Sequence, residues 1–330
     1  MGYINNLYPD IVKNLYDAKM DLRQLKYFVQ IVDSGSLAKA SRQLYIAQPA
    51  LSQHIAKLES EVGKPLLIRT AKGVTPTENG AALHHHARFI LRQLEQALSI
   101  ARQEPGTVHG MVSVGLAATT VCAVGAPFMR RIREKYPGIV LNVVEGMSGH
   151  LAQMMRQGQL DLAILFSRDA VPDLTPEPLV EEELFVILPE DSDLIPPRRV
   201  KLSCEDTANL PLILPTGIHG LRRRIAAEFE QRNLAMHVVA EIDSLSLLMT
   251  CVRDGMGATI KPMSAVLAEG IMRERWRTLG FSDAEMKRPN FLYSVDPLHM
   301  SPSTAAVRAE LRETVKQLVQ SGQWKGVNLL

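Results

Sequence analysis

The sequence predicts an α/β protein in two parts: an N-terminal winged helix-turn-helix with a long linker helix, then two similar α/β units. Residues 22–77 have the spacing of three short helices, a basic hairpin and the cap of a longer helix. Pro105-Gly106 then breaks the helical pattern. From residue 108 onwards, short apolar runs alternate with amphipathic stretches. This alternation is typical of βαβ units and predicts a mostly parallel sheet.

The three short helices follow from apolar spacing and capping residues. The first starts at Leu22 and stops at Asp33-Ser34-Gly35. Ser36 is a good N-cap for the second helix, because its hydroxyl accepts an otherwise unsatisfied backbone N–H. The third helix has Ala47 at its cap and Pro49 in its first turn, where a missing N–H costs little. Its buried side is predicted to consist of Leu51, Ile55, Leu58 and Val62.

The opposite side of the third helix carries polar residues that suit DNA bases. Gln pairs with adenine edges, Ser serves either base, and Lys reaches guanine or phosphate. An ordinary solvated helix face is the alternative, but the helix before it and the hairpin after it favour a helix that reads DNA. The residues on this side are Gln48, Ser52, Gln53 and Lys57.

A basic hairpin is predicted over residues 65–76, with Gly73 in its turn. Arg69 and Lys72 place two cations near its tip, where they can reach phosphates or a narrow minor groove. Two solvated surface cations are the alternative.

Positive charge is concentrated in the same part of the chain. Residues 20–104 hold 11 Lys and Arg against 7 Asp and Glu, whereas the whole chain carries a net charge of only +2. Phosphate binding requires such a basic region.

The long helix is predicted to start after Thr77 and to run to about Arg102. No neighbouring segment could cover its apolar stripe, so we expect a partner helix from a second subunit to pack against it. The alternative is that the stripe packs on the second part of the same chain. Because three consecutive helical residues cannot converge on one metal, we expect His84-His85-His86 to be solvated or interfacial. The stripe consists of Ala87, Ile90, Leu94, Ala97 and Ala101.

The second part is predicted to contain two rounds of alternating strands and helices, which would form two hinged units with a cleft. Strands are predicted at 108–116, 140–145, 160–166, 184–188, 212–214, 238–242, 258–260 and 288–295. Helices are predicted at 121–136, 150–157, 221–233, 245–254 and 303–321.

Small and hydroxyl residues follow several of these strands. Ligands in open α/β sheets bind beyond the carboxyl ends of strands, and the helix starts that come next offer free N–H groups to an anion. We therefore expect a small carboxylate-bearing ligand, although the same Ser and Thr also suit caps and turns. The strand ends are 117–120, 146–149, 166–167, 215–216 and 243–244.

Other classes of protein fit the sequence badly. No apolar run approaches the roughly 20 residues that span a bilayer, and residues 1–19 lack a secretory signal and are expected to be an extension. The scattered Cys122, Cys204 and Cys251 favour a reducing cytoplasm, with a redox switch as the alternative. No nucleophile-elbow, P-loop, His-Glu-x-x-His or dinucleotide motif is present, so we predict no enzyme, no cofactor and no metal.

Residues 20 to about 103 resemble the winged helix-turn-helix and linker helix of the LysR-type transcriptional regulators. Residues 107–325 resemble the periplasmic-binding-protein-like effector domain of that family, most visibly at Gly255–Pro262. The sequences of residues 46–49 and 67–70 also resemble those of the nitrogen-assimilation-control branch of this family. The segments that match the family in the first part of the chain are Leu25–Val29, Gly35–Leu37, Gln48–Gln53, Leu58-Glu59, Pro65–Leu67, Arg69 and Thr75–Gly80.

The resemblance implies specific site residues. It places Gln48, Pro49, Ser52 and Gln53 against DNA bases, and Ser36, Lys57, Arg69 and Lys72 at the backbone or minor groove. Effector contacts carried over by position are Thr119, Thr120, Ser148, Phe166, Thr216 and Ser244, with His219 as a looser candidate. Lys261, where the family more often has an apolar residue, is either an effector contact or an exposed cation at a strand end.

We therefore predict a cytoplasmic LysR-type regulator, a homodimer or homotetramer that binds an inverted repeat in double-stranded DNA. A small organic, anionic effector in the cleft would modulate it. The alternatives are an effector-independent regulator and a small-molecule-binding protein without a DNA role. RNA polymerase is a further candidate partner. The predicted domains are an extension (1–19), the winged domain (20–76), the linker helix (77–104) and an effector domain (107–330), with lobe I at about 107–181 and 283–330 and lobe II at about 182–282.

Overall fold

The computed structural model describes residues 20–70, 73–101, 108–171, 174–217, 219–267, 275–295 and 300–330. The chain separates into two compact units, Met1–Ala101 and Arg102–Leu330, here called the head and the α/β unit. The predicted extension at 1–19 and Lys72 of the basic hairpin, called the wing from here on, lie outside the described residues. Within the described part of the chain, no helix is long and apolar enough to cross a membrane.

The head contains the predicted helices and hairpin, and its caps explain where they start. The hydroxyl of Ser36 accepts the N–H of Lys39 at 3.4 Å, and the hydroxyl of Thr77 accepts the N–H of Gly80 at 3.0 Å, so both predicted caps are confirmed. Ala47 makes no side-chain cap. The elements are α1 (Leu22–Ser34), α2 (Leu37–Leu44), α3 (Gln48–Val62), β1 (Leu67–Thr70), β2 (Gly73–Pro76) and α4 (Glu78–Ala101).

The core of the head lies between the apolar sides of α1 and α3, and it fixes the wing. The carboxylate of Glu59 accepts the N–H groups of Leu66 at 2.8 Å and Leu67 at 3.2 Å, which ties the start of β1 to α3. Val62, predicted to be buried, is exposed because it occupies the last residue of α3. The largest buried side chains of this core are Phe28, Ile31, Leu51, Ile55, Leu58 and Leu66.

The predicted stripe of α4 divides into two parts. Its first part packs on α1: Ala87 is buried, and His84 Nε2 lies 2.8 Å from Asp33 Oδ1. His84 therefore holds the head together and is not a solvated residue as predicted. Further along, large apolar side chains are exposed, namely Phe89, Ile90, Leu94 and Leu98.

The α/β unit alternates strands and helices. Its strands are β3 (Gly110–Leu116), β4 (Ile139–Glu145), β5 (Leu162–Leu165), β6 (Glu177–Pro189), β7 (Lys201–Leu202), β8 (Leu212–Leu214), β9 (Val238–Glu241), β10 (Thr259–Pro262), β11 (Trp276–Phe281), β12 (Lys287–Ser294) and β13 (Val327–Leu329). Its helices are α5 (Ala118–Thr120, the π-helical Val121–Gly125 and Ala126–Lys135), α6 (Ser148–Arg156), α7 (Cys204–Ala208), α8 (Gly220–Glu230), α9 (Leu245–Arg253), α10 (Ser264–Leu267) and α11 (Pro302–Gln320).

The main sheet is mixed, so the prediction of a mostly parallel sheet is wrong. Its order is β4-β3-β5-β12-β6-β11-β7, with β10 and β13 also paired with β6, and β8-β9 form a separate parallel pair. The β3-β4, β3-β5 and β7-β11 pairs are parallel, whereas β6 and β12 pair antiparallel with each of their described neighbours. The physical reason is that these two strands carry the chain between two cores in opposite directions.

Two lobes result from these crossings. Leu179 and Val180 of β6 lie in the core of lobe I, and Leu184 and Val186 lie in the core of lobe II. All eight predicted strands and five predicted helices are present, and only the strand at 212–214 has the predicted bounds. The strand β6 is predicted only at 184–188, because the glutamates before it resemble a loop. The short β7, β11 and β13 are not predicted, since tertiary pairing rather than local pattern supports them. The short helices α7 and α10 are not predicted either, although Ser203 and Asp206 form a capping box at the start of α7.

Candidate functional site

The polar side of α3 is available to a partner. Gln48, Pro49, Gln53 and Lys57 are exposed, and Ser52 is half-buried. The hydroxyl of Ser36 is half-buried and already caps α2, so any phosphate contact from it would share the oxygen with Lys39 N–H. Arg69 is exposed on β1 of the wing, opposite Val74.

Tyr45 is a surface residue of the head that sequence reasoning missed. It lies in the turn between α2 and α3, is 96% exposed and has a φ of 55°. Non-glycine residues seldom adopt this left-handed conformation, and an exposed aromatic beside a polar helix face is a recognisable signal. The turn therefore presents a ring next to the start of α3.

A cleft between the lobes contains two adjoining cavities. The first, here the lysine cavity, has a volume of about 390 Å³ and is lined by predicted residues of both lobes: Thr119, Phe166, His219, Ser244 and Lys261. The second, here the arginine cavity, has a volume of about 780 Å³ and is lined by Ser148, Phe166, His219 and several arginines. Ends of β3, β4 and β5 and starts of α8 and α9 meet at the lysine cavity, as the strand-end argument predicts.

Two predicted effector residues do not line either cavity. Thr120 lies in the first turn of α5, is fully buried and is absent from the lining of both cavities. Thr216 donates its hydroxyl to the carboxylate of Asp243 at 3.0 Å, and Asp243 rather than Thr216 lines the lysine cavity. The strand-end rule places these residues near the cleft, but it does not decide which side chain points into it.

Arg288 is the central residue that the sequence analysis missed. It is 3% exposed, and its Nε donates to Glu182 Oε2 at 3.1 Å while Nη2 contacts both Glu182 and, at 3.1 Å, Thr119 Oγ1. Its guanidinium carbon lies 3.6 Å from the centre of the Phe166 ring. Arg288 therefore joins β12, β6, α5 and the end of β5 at the wall of both cavities.

Glu182 completes this buried network. It is 0% exposed and also accepts hydrogen bonds from Ser264 Oγ at 3.2 Å and Asn290 Nδ2 at 3.1 Å. Both Glu182 and Arg288 belong to the strands that cross between the lobes. A buried pair with this many hydrogen bonds is satisfied as a pair and costly to break.

Lys261 lies at the wall of the lysine cavity and is 5% exposed, so the alternative of an exposed cation at a strand end is wrong. Its amine forms no hydrogen bond or ion pair with the described residues. Burial, followed by the charge of Arg288, lowers the pKa of Lys261 to about 7, and Asp243 opposes the change. An amine with this environment gains from any ligand that brings a negative charge.

His219 lines both cavities from the side of lobe II. Its Nδ1 accepts the N–H of Leu221 at 3.2 Å and caps α8. Burial, followed by the charge of Lys261, lowers the pKa of His219 to about 4, so it is neutral at pH 7. His219 therefore adds no positive charge to the cleft near neutral pH.

The family models match most of the chain. The model described as "Bacterial regulatory helix-turn-helix protein, lysR family" matches residues 22–81, and the "LysR substrate binding domain" matches residues 105–316. The chain belongs to the LysR family of transcriptional regulators. It is thus a DNA-binding regulator and not an enzyme, and members of this family form oligomers.

Curated relatives and solved structures agree with this membership. The chain is 41% identical over 74% of its length to the "Nitrogen assimilation regulatory protein nac" of Klebsiella aerogenes, of which 79% is covered. It is 34% identical over 94% of its length to the protein of the same name from Escherichia coli (strain K12), which is covered completely. A full-length OxyR variant from Pseudomonas aeruginosa has the same fold, with a TM-score of 0.70, 21% identity and coverage of 90% of this chain and 98% of that one.

Proposed function

We propose that this regulator binds an inverted-repeat operator as a homodimer or homotetramer, and that a small anionic effector in the interlobe cleft changes this binding. The observation that carries the proposal is Lys261, a buried amine with no partner among the described residues, which faces a cavity beside Arg288. The protein would act in the cytoplasm, with RNA polymerase as a further partner. The similarity to the nac proteins supports nitrogen assimilation as the process under its control.

The proposed effector residues are the predicted ones that line the two cavities, together with Arg288. The proposed division of the chain is an extension (1–19), the winged domain (20–76), the linker helix (77–104) and the effector domain (107–330). Within the last, lobe I would cover about 107–181 and 283–330, and lobe II about 182–282. The crossings of β6 and β12 support this division.

The proposed DNA contacts are residues of the polar side of α3, of the hairpin and of the cap of α2. Gln48, Pro49, Ser52 and Gln53 would meet bases, and Ser36, Lys57, Arg69 and Lys72 would meet the backbone or the minor groove. The amphipathic separation of α3 supports this assignment, because its apolar side is used in the core of the head.

Gln53→Ala is expected to weaken binding to the specific operator by about tenfold or more, because it removes a base-edge contact worth about 1–3 kcal/mol. Binding to unrelated duplex is expected to change less than about twofold, because that binding depends on phosphates. Fluorescence anisotropy at one fixed salt concentration, with an operator selected from random DNA, measures both affinities.

The matched control is Gln43→Ala, an exposed glutamine of α2 whose side chain accepts from Gln30 Nε2 at 2.8 Å. It is expected to leave both affinities unchanged. Equal losses on operator and unrelated DNA for Gln53→Ala would rule out base recognition by this residue.

The exposed apolar part of α4 is the proposed dimer surface. Leu94→Glu is expected to convert the protein to monomers, because it places a charge in a helix–helix contact that excludes water. Loss of the second head would weaken operator binding by about 100-fold or more, since two linked heads gain that much by avidity. Analytical ultracentrifugation measures the assembly state.

Ala82→Glu is the control for Leu94→Glu, because it adds the same charge to the same helix at an exposed position in its first turns. This variant is expected to keep the assembly state of the unaltered protein. A Leu94→Glu protein that stays dimeric with full operator affinity would remove α4 from the interface.

A further inference from the structure

The arginine cavity is strongly basic. Its lining includes Arg156, Arg223 and Arg224 in addition to Arg288, and Asp169 is the one acidic residue among its described lining residues. The lysine cavity differs, because Lys261 and Arg288 are balanced there by Glu145 and Asp243. The positive excess of the cleft therefore lies in the second cavity.

The arginines of this cavity differ in how far they are already neutralised. Arg224 pairs with Glu228 at 2.8 Å, and Arg288 pairs with Glu182. Arg156 uses one nitrogen to donate to the carbonyl of Ala170 at 2.7 Å. The side chain of Arg223 is exposed and has no hydrogen bond or ion pair with the described part of the chain. Arg223 is therefore the arginine with most capacity for a ligand.

The position of Arg223 in its helix gives an independent argument. Arg222-Arg223-Arg224 lie at the start of α8, where no acidic residue occurs in the first turn. A helix N-terminus carries a partial positive charge, so cations there are unfavourable. An anion at this position would interact with both the guanidinium and the helix terminus.

The two cavities adjoin each other at a common wall. They share four lining residues, of which Met147 and Phe166 are apolar and His219 is neutral at pH 7. This apolar wall lies between Lys261 in the lysine cavity and Arg223 and Arg156 in the arginine cavity, while Arg288 lines both cavities. This arrangement suits a molecule with an anionic group at each end and a short apolar middle.

We propose that the effector is a dianion, with one anionic group held by Lys261 and the other by Arg223 and Arg156. This inference rests on the proposed effector role of the cleft and adds the class of the ligand. Arg156 ends α6 in lobe I, whereas Arg223 starts α8 in lobe II. The second anion would therefore contact both lobes and favour their closure, whereas a monoanion held only in the lysine cavity would favour closure less.

Isothermal titration calorimetry of the full-length protein tests this without DNA. The probes are the α,ω-dicarboxylates from malonate to pimelate, the monocarboxylates of the same chain lengths, and 3-phosphonopropionate as the arm for a phosphate-type anion. At least one dianion is expected to bind about tenfold or more tightly than its matched monoanion. Arg223→Gln is expected to remove that advantage while changing monoanion affinity less than about twofold.

Arg198→Gln serves as the control, because it removes the same charge from an exposed position that lines neither cavity. The inference is overturned if no dianion exceeds its monoanion, if no probe binds, or if the advantage survives in Arg223→Gln. A dianion that binds as expected but leaves operator affinity unchanged would instead overturn the proposed effector control, so the two failures are distinguishable.

Discussion

Glu182→Gln is expected to lower the free energy of unfolding of the α/β unit by about 3 kcal/mol. The substitution keeps the shape of the side chain but leaves the guanidinium of Arg288 buried without a counter-charge, and breaking a buried pair in this way costs about 3–5 kcal/mol. Arg288 is 3% exposed, so water cannot take over the role of the carboxylate.

Denaturant unfolding followed by tryptophan fluorescence measures this effect in the full chain. The sequence contains two tryptophans, Trp276 and Trp324, and both lie in the α/β unit. Trp324 is in the core of lobe I and Trp276 packs on a cluster of lobe II, so each lobe has its own probe.

Glu181→Gln is the matched control on the same strand. Glu181 forms a partly exposed ion pair with Lys287 at 3.3 Å, and such pairs contribute at most about 1 kcal/mol. The double variant Glu182→Leu with Arg288→Met is expected to be more stable than Glu182→Gln, because it removes both charges together. Similar small losses for Glu181→Gln and Glu182→Gln would contradict the buried network.

Lys261→Met is expected to raise the free energy of unfolding by about 2–4 kcal/mol at pH 7 and to abolish the effector response. A pKa near 7 in the folded protein, against an ordinary 10.5, means that folding opposes protonation of this amine. Methionine keeps most of the side-chain volume without the charge. We expect the Lys261→Met protein to be more stable and to lose its regulation, which is the combination typical of a residue kept for ligand binding.

The pH dependence of this gain has a defined sign. Between about pH 7 and pH 10.5 the unfolded chain binds more protons at Lys261 than the folded chain, so its presence destabilises the fold increasingly as the pH falls. The stability gain of Lys261→Met is therefore expected to be largest near pH 7 and to shrink by about pH 10. Urea unfolding at both pH values measures the difference.

Lys201→Met is the control for this substitution, because Lys201 is exposed on β7 of the same lobe. Its stability change is expected to stay within about 0.5 kcal/mol at both pH values. A Lys261→Met protein that is destabilised at pH 7, or that gains equally at both pH values, would contradict a buried amine that folding leaves without a counter-charge.

Local signals predicted the head well. The caps at Ser36 and Thr77 and the apolar stripes of α1 and α3 involve residues only a few positions apart, so the sequence contains the whole argument. The placement of Val62 was predicted wrongly and the contact between His84 and Asp33 was not predicted, for a related reason. Exposure at a helix end, and contact between residues 51 positions apart in the chain, depend on the packing of other elements.

The sequence by itself determined the winged domain, the linker helix and the alternation of strands and helices that forms two α/β lobes. It could do so because helix periodicity, caps and breakers act over one or two turns. Only the tertiary structure decided which charges are buried in the cleft. Arg288 and Glu182 are 106 positions apart and meet because β6 and β12 pair antiparallel between the lobes. Burial and partners of such residues depend on long-range strand pairing, and no local spacing encodes it.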